Sequence, residues 1–167
     1  NPLQVRAIAW AKVKTDKIDA ATLARLHAAQ FLPEVWMPSE KVELQRRLVA
    51  ERTQLVSQMT RLKNRIQSIL HANLMPRETG RIYGAKGRAR LEALALPADQ
   101  MRAALRHHDE LGRLATELAA IDKSIAQQAL EDENVRRLMT IGGVDLVVAF
   151  SVLAAIGDIS RFSSPQK

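Results

Sequence analysis

The sequence predicts a mainly α-helical protein, and three observations carry that expectation. Ala, Leu, Arg and Glu dominate the 167 residues while aromatics make up only 4%, a composition that favours helix. Apolar residues recur at three- and four-residue steps through two long stretches, the period of a helix stripe. Between those stretches lie Pro76, Gly80, Gly84 and Gly87, residues that punctuate helices rather than extend them.

Residues 1–13 mix apolar and basic positions without a firm period. A first helix is expected over Asp16–Gln30, with Ile18, Thr22, Leu26 and Ala29 along one stripe. Pro33 and Pro38 bracket Glu34-Val35-Trp36-Met37, which should be extended, with Trp36 packing against the first helix. Ser39 opens a long helix whose Leu44, Leu48, Leu55, Met59, Leu62, Ile66 and Ile69 form a coiled-coil-like seam, broken at Glu51 and Gln58. Its end is expected near Ala72-Asn73, with Pro76 beyond. A flexible basic loop should follow, across 73–90 and up to residue 97.

The second long helix is expected from Ala98 to about Glu133, with Pro97 and Asp99 suited to its start. Ala104, His107, Leu111, Leu114, Leu118, Ile121, Ile125 and Gln128 form its seam. The two helices can pair with each other as an antiparallel hairpin, or with a second copy of the chain; periodicity does not choose. His107 and His108 are adjacent and do not share a helix face, so one should face the seam and the other solvent. The last segment turns at Gly142-Gly143 before a run of small and apolar residues. Such a turn resembles a helix-hairpin-helix, in which backbone N–H groups hold a phosphate. A plain packing element explains the same residues equally well.

Composition excludes several classes. There is no cysteine, hence no disulfide and no thiolate metal site, which is compatible with a reducing cytoplasm. No window approaches 18 uninterrupted apolar residues, so no membrane span is expected. The net charge is +7, and residues 40–90 carry 12 Lys and Arg against 4 Glu. A local excess of that sign attracts polyanions and displaces their counterions. Between Arg52 and Glu78 there is no carboxylate to pair with Arg61, Lys63 or Arg65. A solvated helix surface is the competing explanation.

The densest motif is Lys14-Thr15-Asp16-Lys17-Ile18-Asp19-Ala20-Ala21. Asp16 and Asp19 stand three residues apart where a helix begins, so they share a face and can present oxygens to one hard cation such as Mg2+. The same residues suit a helix start, with Thr15 or Asp16 as N-cap and Asp19 complementing the dipole.

With Asn1-Pro2 and Val5-Arg6-Ala7-Ile8 before it, Arg61-Leu62-Lys63-Asn64-Arg65-Ile66 after it and Ala155-Ile156-Gly157-Asp158-Ile159-Ser160-Arg161-Phe162 near the end, the chain resembles transposases of the insertion-sequence 110 family. These are also described as bridge-RNA-guided DEDD recombinases. The resemblance implies three parts: 1–38 as the remnant of a RuvC/RNase H-like nuclease domain, 39–133 as a coiled-coil hairpin with its basic loop at 73–97, and 134–167 as the start of a helical transposase domain. It implies that Asp16 and Asp19 are two of four catalytic, Mg2+-binding acidic residues. It also implies that the family's first Asp and its Glu precede Asn1 and that its nucleophilic serine follows Lys167. Ser151, Ser160, Ser163 and Ser164 do not match that serine. A middle piece of a recombinase, inactive alone, is therefore expected. The family usually reads Ile-Pro-Gly-Ile/Val-Gly where this chain has Ile141-Gly142-Gly143-Val144-Asp145. An aspartate there would repel a phosphate.

Expected nucleic-acid contacts are Lys14, Arg46, Arg47, Arg52, Arg61, Lys63, Arg65 and Gly143. Expected partners are DNA, a structured guide RNA and further copies of the chain joined through the coiled coil, in a bacterial cytoplasm and with no membrane. The alternative is a helical oligomerisation or RNA-binding scaffold without catalysis.

Overall fold

The computed structural model describes residues 15–32, 35–76 and 80–164. It is mainly helical, with six α-helices and no strand among the described residues. Chain contacts group residues 1–38 with 160–167 into one compact unit and 39–159 into a second.

In the first unit, α1 (Asp16–Ala28) starts at Thr15, whose hydroxyl accepts from the Ile18 N–H. Thr15, rather than Asp16, is thus the cap. The helix ends where Gln30 takes a positive φ of 55° and the Phe31 N–H reaches back to the Leu26 carbonyl at 2.9 Å. That six-residue closure satisfies a carbonyl the helix leaves open. The Arg161 guanidinium lies 4.5 Å from the Trp36 ring centroid and 4.4 Å from that of Phe162. Trp36, expected against the first helix, stacks on this arginine of the C-terminal motif.

The second unit is built on α2 (Glu40–Ala72) and α4 (Ala98–Leu130), each 33 residues and so about 50 Å long at 1.5 Å per residue. Ser39 caps α2 by accepting from the Val42 N–H. At the other end the Asn73 amide donates to the Ile69 carbonyl at 2.8 Å, and Met75 N–H closes onto Leu70 O. The pairs Arg52–Asp122 and Asn73–Gln100 join the helices, so α2 and α4 run in opposite directions.

Their seam continues into two cores. One gathers Ile66, Leu70 and Leu111 with Ile82 and Leu91. The other joins Leu55, Leu114, Ile121, Ile125 and Ala129 to Val135, Ala149 and Phe150. The α4 stripe largely faces inward, but on α2 the fully buried residue near the helix end is Leu70 rather than Ile69.

The basic loop differs from expectation. It folds into a 3-10 turn at Gly80–Ile82 and a short α3 (Gly87–Glu92). Ile82, Tyr83, Leu91, Leu94 and Leu96 supply enough apolar surface to seal one end of the helix pair. Tyr83 is fixed there by the Gln67 amide, which donates to its hydroxyl at 2.7 Å. Gly87 is required by close approach: a Cβ would stand 2.1 Å from the Ile82 carbonyl oxygen and 2.7 Å from His108 Nε2. Gly87→Ala is expected to lower stability by about 1–3 kcal/mol through overpacking, read as a fall in the urea midpoint. An unchanged midpoint would show that the turn moves aside without cost.

α4 also stops earlier than the expected Glu133. Asp132 accepts from the Asn134 N–H at 3.0 Å and starts a new helix, α5 (Glu133–Met139). Asp145 then caps α6 (Leu146–Ile156). Contacts place α5 and α6 in the same unit as the long helices.

Candidate functional site

The expected nucleic-acid residues fall into distinct roles. Lys14 lies outside the described residues. Arg46 Nε and Nη2 donate to the Ala154 and Ala155 carbonyls at 2.8 and 3.0 Å. These are last-turn carbonyls of α6 that the helix leaves unsatisfied, so Arg46 ties α6 to α2. Arg52 Nε donates to Asp122 Oδ1 at 2.7 Å across the helix pair. Arg47 meets Glu43 at 3.6 Å on the exposed face, a pair that contributes little. Lys63 Nζ sits 5.6 Å from the Tyr83 ring centroid, a cation–π contact that helps hold the folded loop.

Arg61 and Arg65 are different. Both are exposed, and neither has an ion pair among the described residues. They stand one helical turn apart on the flank of α2 beside α4. With Gln58, Leu62, Glu110 and Leu114 they line a groove of about 250 Å³. Glu110, the acid in this groove, is held by Arg113 Nε at 2.9 Å, a hydrogen bond that keeps its carboxyl below the usual carboxylate range. Its charge is therefore largely neutralised from the far side.

α4 brings further positive groups that sequence reading missed. Arg106 and His107 are one turn from Glu110 on the same helix. Burial, then the neighbouring Arg65 and Arg106 guanidiniums, lower the His107 imidazole below its ordinary value. The register of α2 against α4 makes these neighbours, and spacing along one helix cannot supply a register. His108, expected to be seam-facing or exposed opposite His107, is largely covered, with a side-chain exposure of 14%. α3 packs over that side of α4.

At the Gly142-Gly143 turn, Gly143 has φ +87° with open space around it, so the backbone conformation is what calls for glycine. Asp145 accepts from the Val148 N–H at 2.8 Å. The first N–H groups of α6 therefore face the chain's own carboxylate, and the turn offers no preformed phosphate cradle.

The acidic pair sits at the start of α1. Asp16 is exposed and Asp19 half-buried. Asp19 Oδ1 is buried with no hydrogen-bond donor. A carboxylate oxygen in that state fits a cation ligand, because burying it unpaired is costly. The pair does not complete a site: no group of three or more His, Asp or Glu side chains suited to a metal occurs among the described residues.

The profile of the DEDD transposases of the IS110 type, described as "Transposase", matches residues 1–74. This segment contains both Asp16 and Asp19 and the whole of α2. The chain belongs to the IS110 transposase family. The Sinorhizobium fredii protein named "Putative transposase y4qE" is 30% identical over 159 residues, covering 93% of this chain and 38% of that protein. A Pseudomonas aeruginosa protein named "Probable family 20 transposase" is 28% identical over 163 residues, covering 90% of this chain and 46% of its own length. This IS110-family chain thus spans less than half the length of the curated relatives it matches. No solved structure matches it. Among the described residues no helix is long and apolar enough to cross a membrane.

Proposed function

We propose that this chain serves DNA transposition and recombination by binding nucleic-acid backbone along α2 and contributing Asp16 and Asp19 to a metal-dependent phosphodiester-transfer site. The observation that carries the reading is the exposed Arg61–Arg65 pair, which has no ion-pair partner among the described residues. Like charges four residues apart on a helix destabilise it by about 0.2–0.5 kcal/mol, a cost that a bound phosphate offsets. Contacts of this kind hold a backbone without reading bases, which suits a protein whose target choice is delegated to a structured guide RNA.

Asp16 and Asp19 would hold Mg2+, which when bound stabilises the attacking and leaving oxygens of a phosphodiester. The chain's own part is to fix both carboxylates on one face of α1, with Thr15 anchoring the first turn. Two carboxylates bind Mg2+ weakly, since the ion retains its waters, so further ligands belong to the working site. The α2–α4 pair is the candidate coiled-coil element for joining copies of the chain, and the cytoplasm is the compartment where DNA and guide RNA meet.

A second reading, a helical scaffold without catalysis, is favoured by Arg46 and Arg52. Both are engaged in packing α6 and α4 onto α2 rather than in facing a ligand. Binding of labelled duplex DNA and stem-loop RNA to the purified chain, followed by fluorescence anisotropy over a salt series, separates the two. Phosphate contacts give affinity that falls log-linearly with salt. Absence of binding at low salt would leave only the scaffold.

A further inference from the structure

The groove beside Arg61 and Arg65 is shared between two helices, and this gives the nucleic-acid reading, on which the inference rests, a specific form. We propose that a nucleic-acid strand crosses from α2 onto α4 here, with one backbone phosphate held by Arg61, Arg65 and Arg106 and with His107 as a fourth donor. Arg65 and Glu110 line the same groove, and Arg106 and His107 lie one turn along α4 from Glu110. The phosphate is thus met from both helices, as an anion bridging two antiparallel elements would be.

The charges around His107 can be enumerated by element. α2 supplies Arg65, with Arg61 one turn away. α4 supplies Arg106 and Glu110, and Glu110 is engaged by Arg113. α3 supplies Arg88, which is taken up by Asp109 at 2.6 Å and Glu92 at 3.1 Å. In the free chain, protonation of His107 therefore adds a positive charge beside two guanidiniums. Its folded-state value lies below the unfolded one, so the unfolded chain binds more protons in the window between them. Stability is intact above the ordinary imidazole value of about 6.5 and is lost as pH falls through the folded one.

A bound phosphate reverses the sign. It supplies the negative charge that protonated His107 lacks, so binding takes up a proton and tightens as pH falls. His107 is then a proton-linked contact, and the same groove that is strained in acid when empty is strengthened in acid when filled.

The test is anisotropy of duplex DNA and of stem-loop RNA with the full 167-residue chain, at fixed ionic strength. Moving from about pH 7.5 to about pH 5.5 should tighten binding roughly three- to tenfold, as expected for partial uptake of one proton. His107→Gln should flatten that dependence, whereas His71→Gln, on the same surface of the unit but outside the groove, should retain it. Arg106→Gln should weaken binding at both pH values. Circular dichroism melting of each variant confirms that the fold persists, and neutralising Arg106 should leave stability equal or raised. Salt-sensitive binding that is indifferent to pH, or unchanged in His107→Gln and Arg106→Gln, would overturn the shared phosphate site while leaving nucleic-acid binding by α2 standing. No binding of either nucleic acid at any pH or salt would remove both.

Discussion

Phenylalanine 150 replaced by alanine is expected to remove about 3–5 kcal/mol of stability, the range for emptying a buried aromatic site. Phe150 is 1% exposed and lies in the core formed by Leu55, Leu114, Ile121, Ile125 and Val135. It therefore bears on α2, α4, α5 and α6 together. Domains of ordinary stability hold about 5–15 kcal/mol, so the loss is a large share of the total. Urea denaturation followed by circular dichroism reads it directly. A loss under about 1 kcal/mol, small against the cost of such a cavity, would mean that α6 is not packed into the helix pair and that residues 146–156 belong to a separate unit.

The second large effect concerns chemistry. In a transposase containing this segment, Asp19→Asn should abolish Mg2+-dependent strand cleavage. Metal stabilisation of a phosphodiester transition state amounts to several kcal/mol, and each ~1.4 kcal/mol is a factor of ten in rate, so a loss on the order of 10³-fold follows. Folding of the chain should not suffer in parallel. Asp19 Oδ1 is buried without a donor, and a neutral amide costs less to bury than an unpaired charge. Losing a first-turn carboxylate costs only about 0.3–1 kcal/mol of dipole interaction. The melting temperature of Asp19→Asn should therefore match or exceed that of the parent chain. Retained cleavage, or a stability loss well above the dipole figure, would make Asp19 a structural first-turn residue.

The helical fold was legible because its causes are local. Ser39, Asn73 and Pro76 announce the ends of α2, and the stripe from Ala104 to Ile125 announces the inner face of α4. What escaped was non-local. The folding of 80–96 over the helix pair depends on Ile82 and Leu91 finding Ile66, Leu70 and Leu111 across the chain. The Arg-rich composition of that loop gave the opposite impression. Helix ends at Gln30 and Leu74 carry positive φ without glycine, so the usual C-terminal signal was missing.

For the site, the Asp16–Asp19 spacing and the Arg61–Arg65 pair could be read directly, since both are neighbours on single helices. The roles of Arg46 and Arg52 could not. Their partners, Ala154, Ala155 and Asp122, are remote in sequence and become neighbours only through packing. The same holds for Arg106 and His107, whose relevance follows from the α2–α4 register.

The central claim is that the unpaired flank of α2 holds nucleic-acid phosphates. Its most direct measurement is the salt dependence of binding for the parent chain and for the Arg61→Gln/Arg65→Gln double variant, each with duplex DNA. Each phosphate contact contributes a slope of about −0.9 in log affinity against log salt. The double variant should therefore bind more weakly with a slope shallower by about two contacts, roughly 1.8, while melting at the same temperature or higher. Equal slopes and equal affinities would contradict the claim and assign Arg61 and Arg65 to a solvated surface.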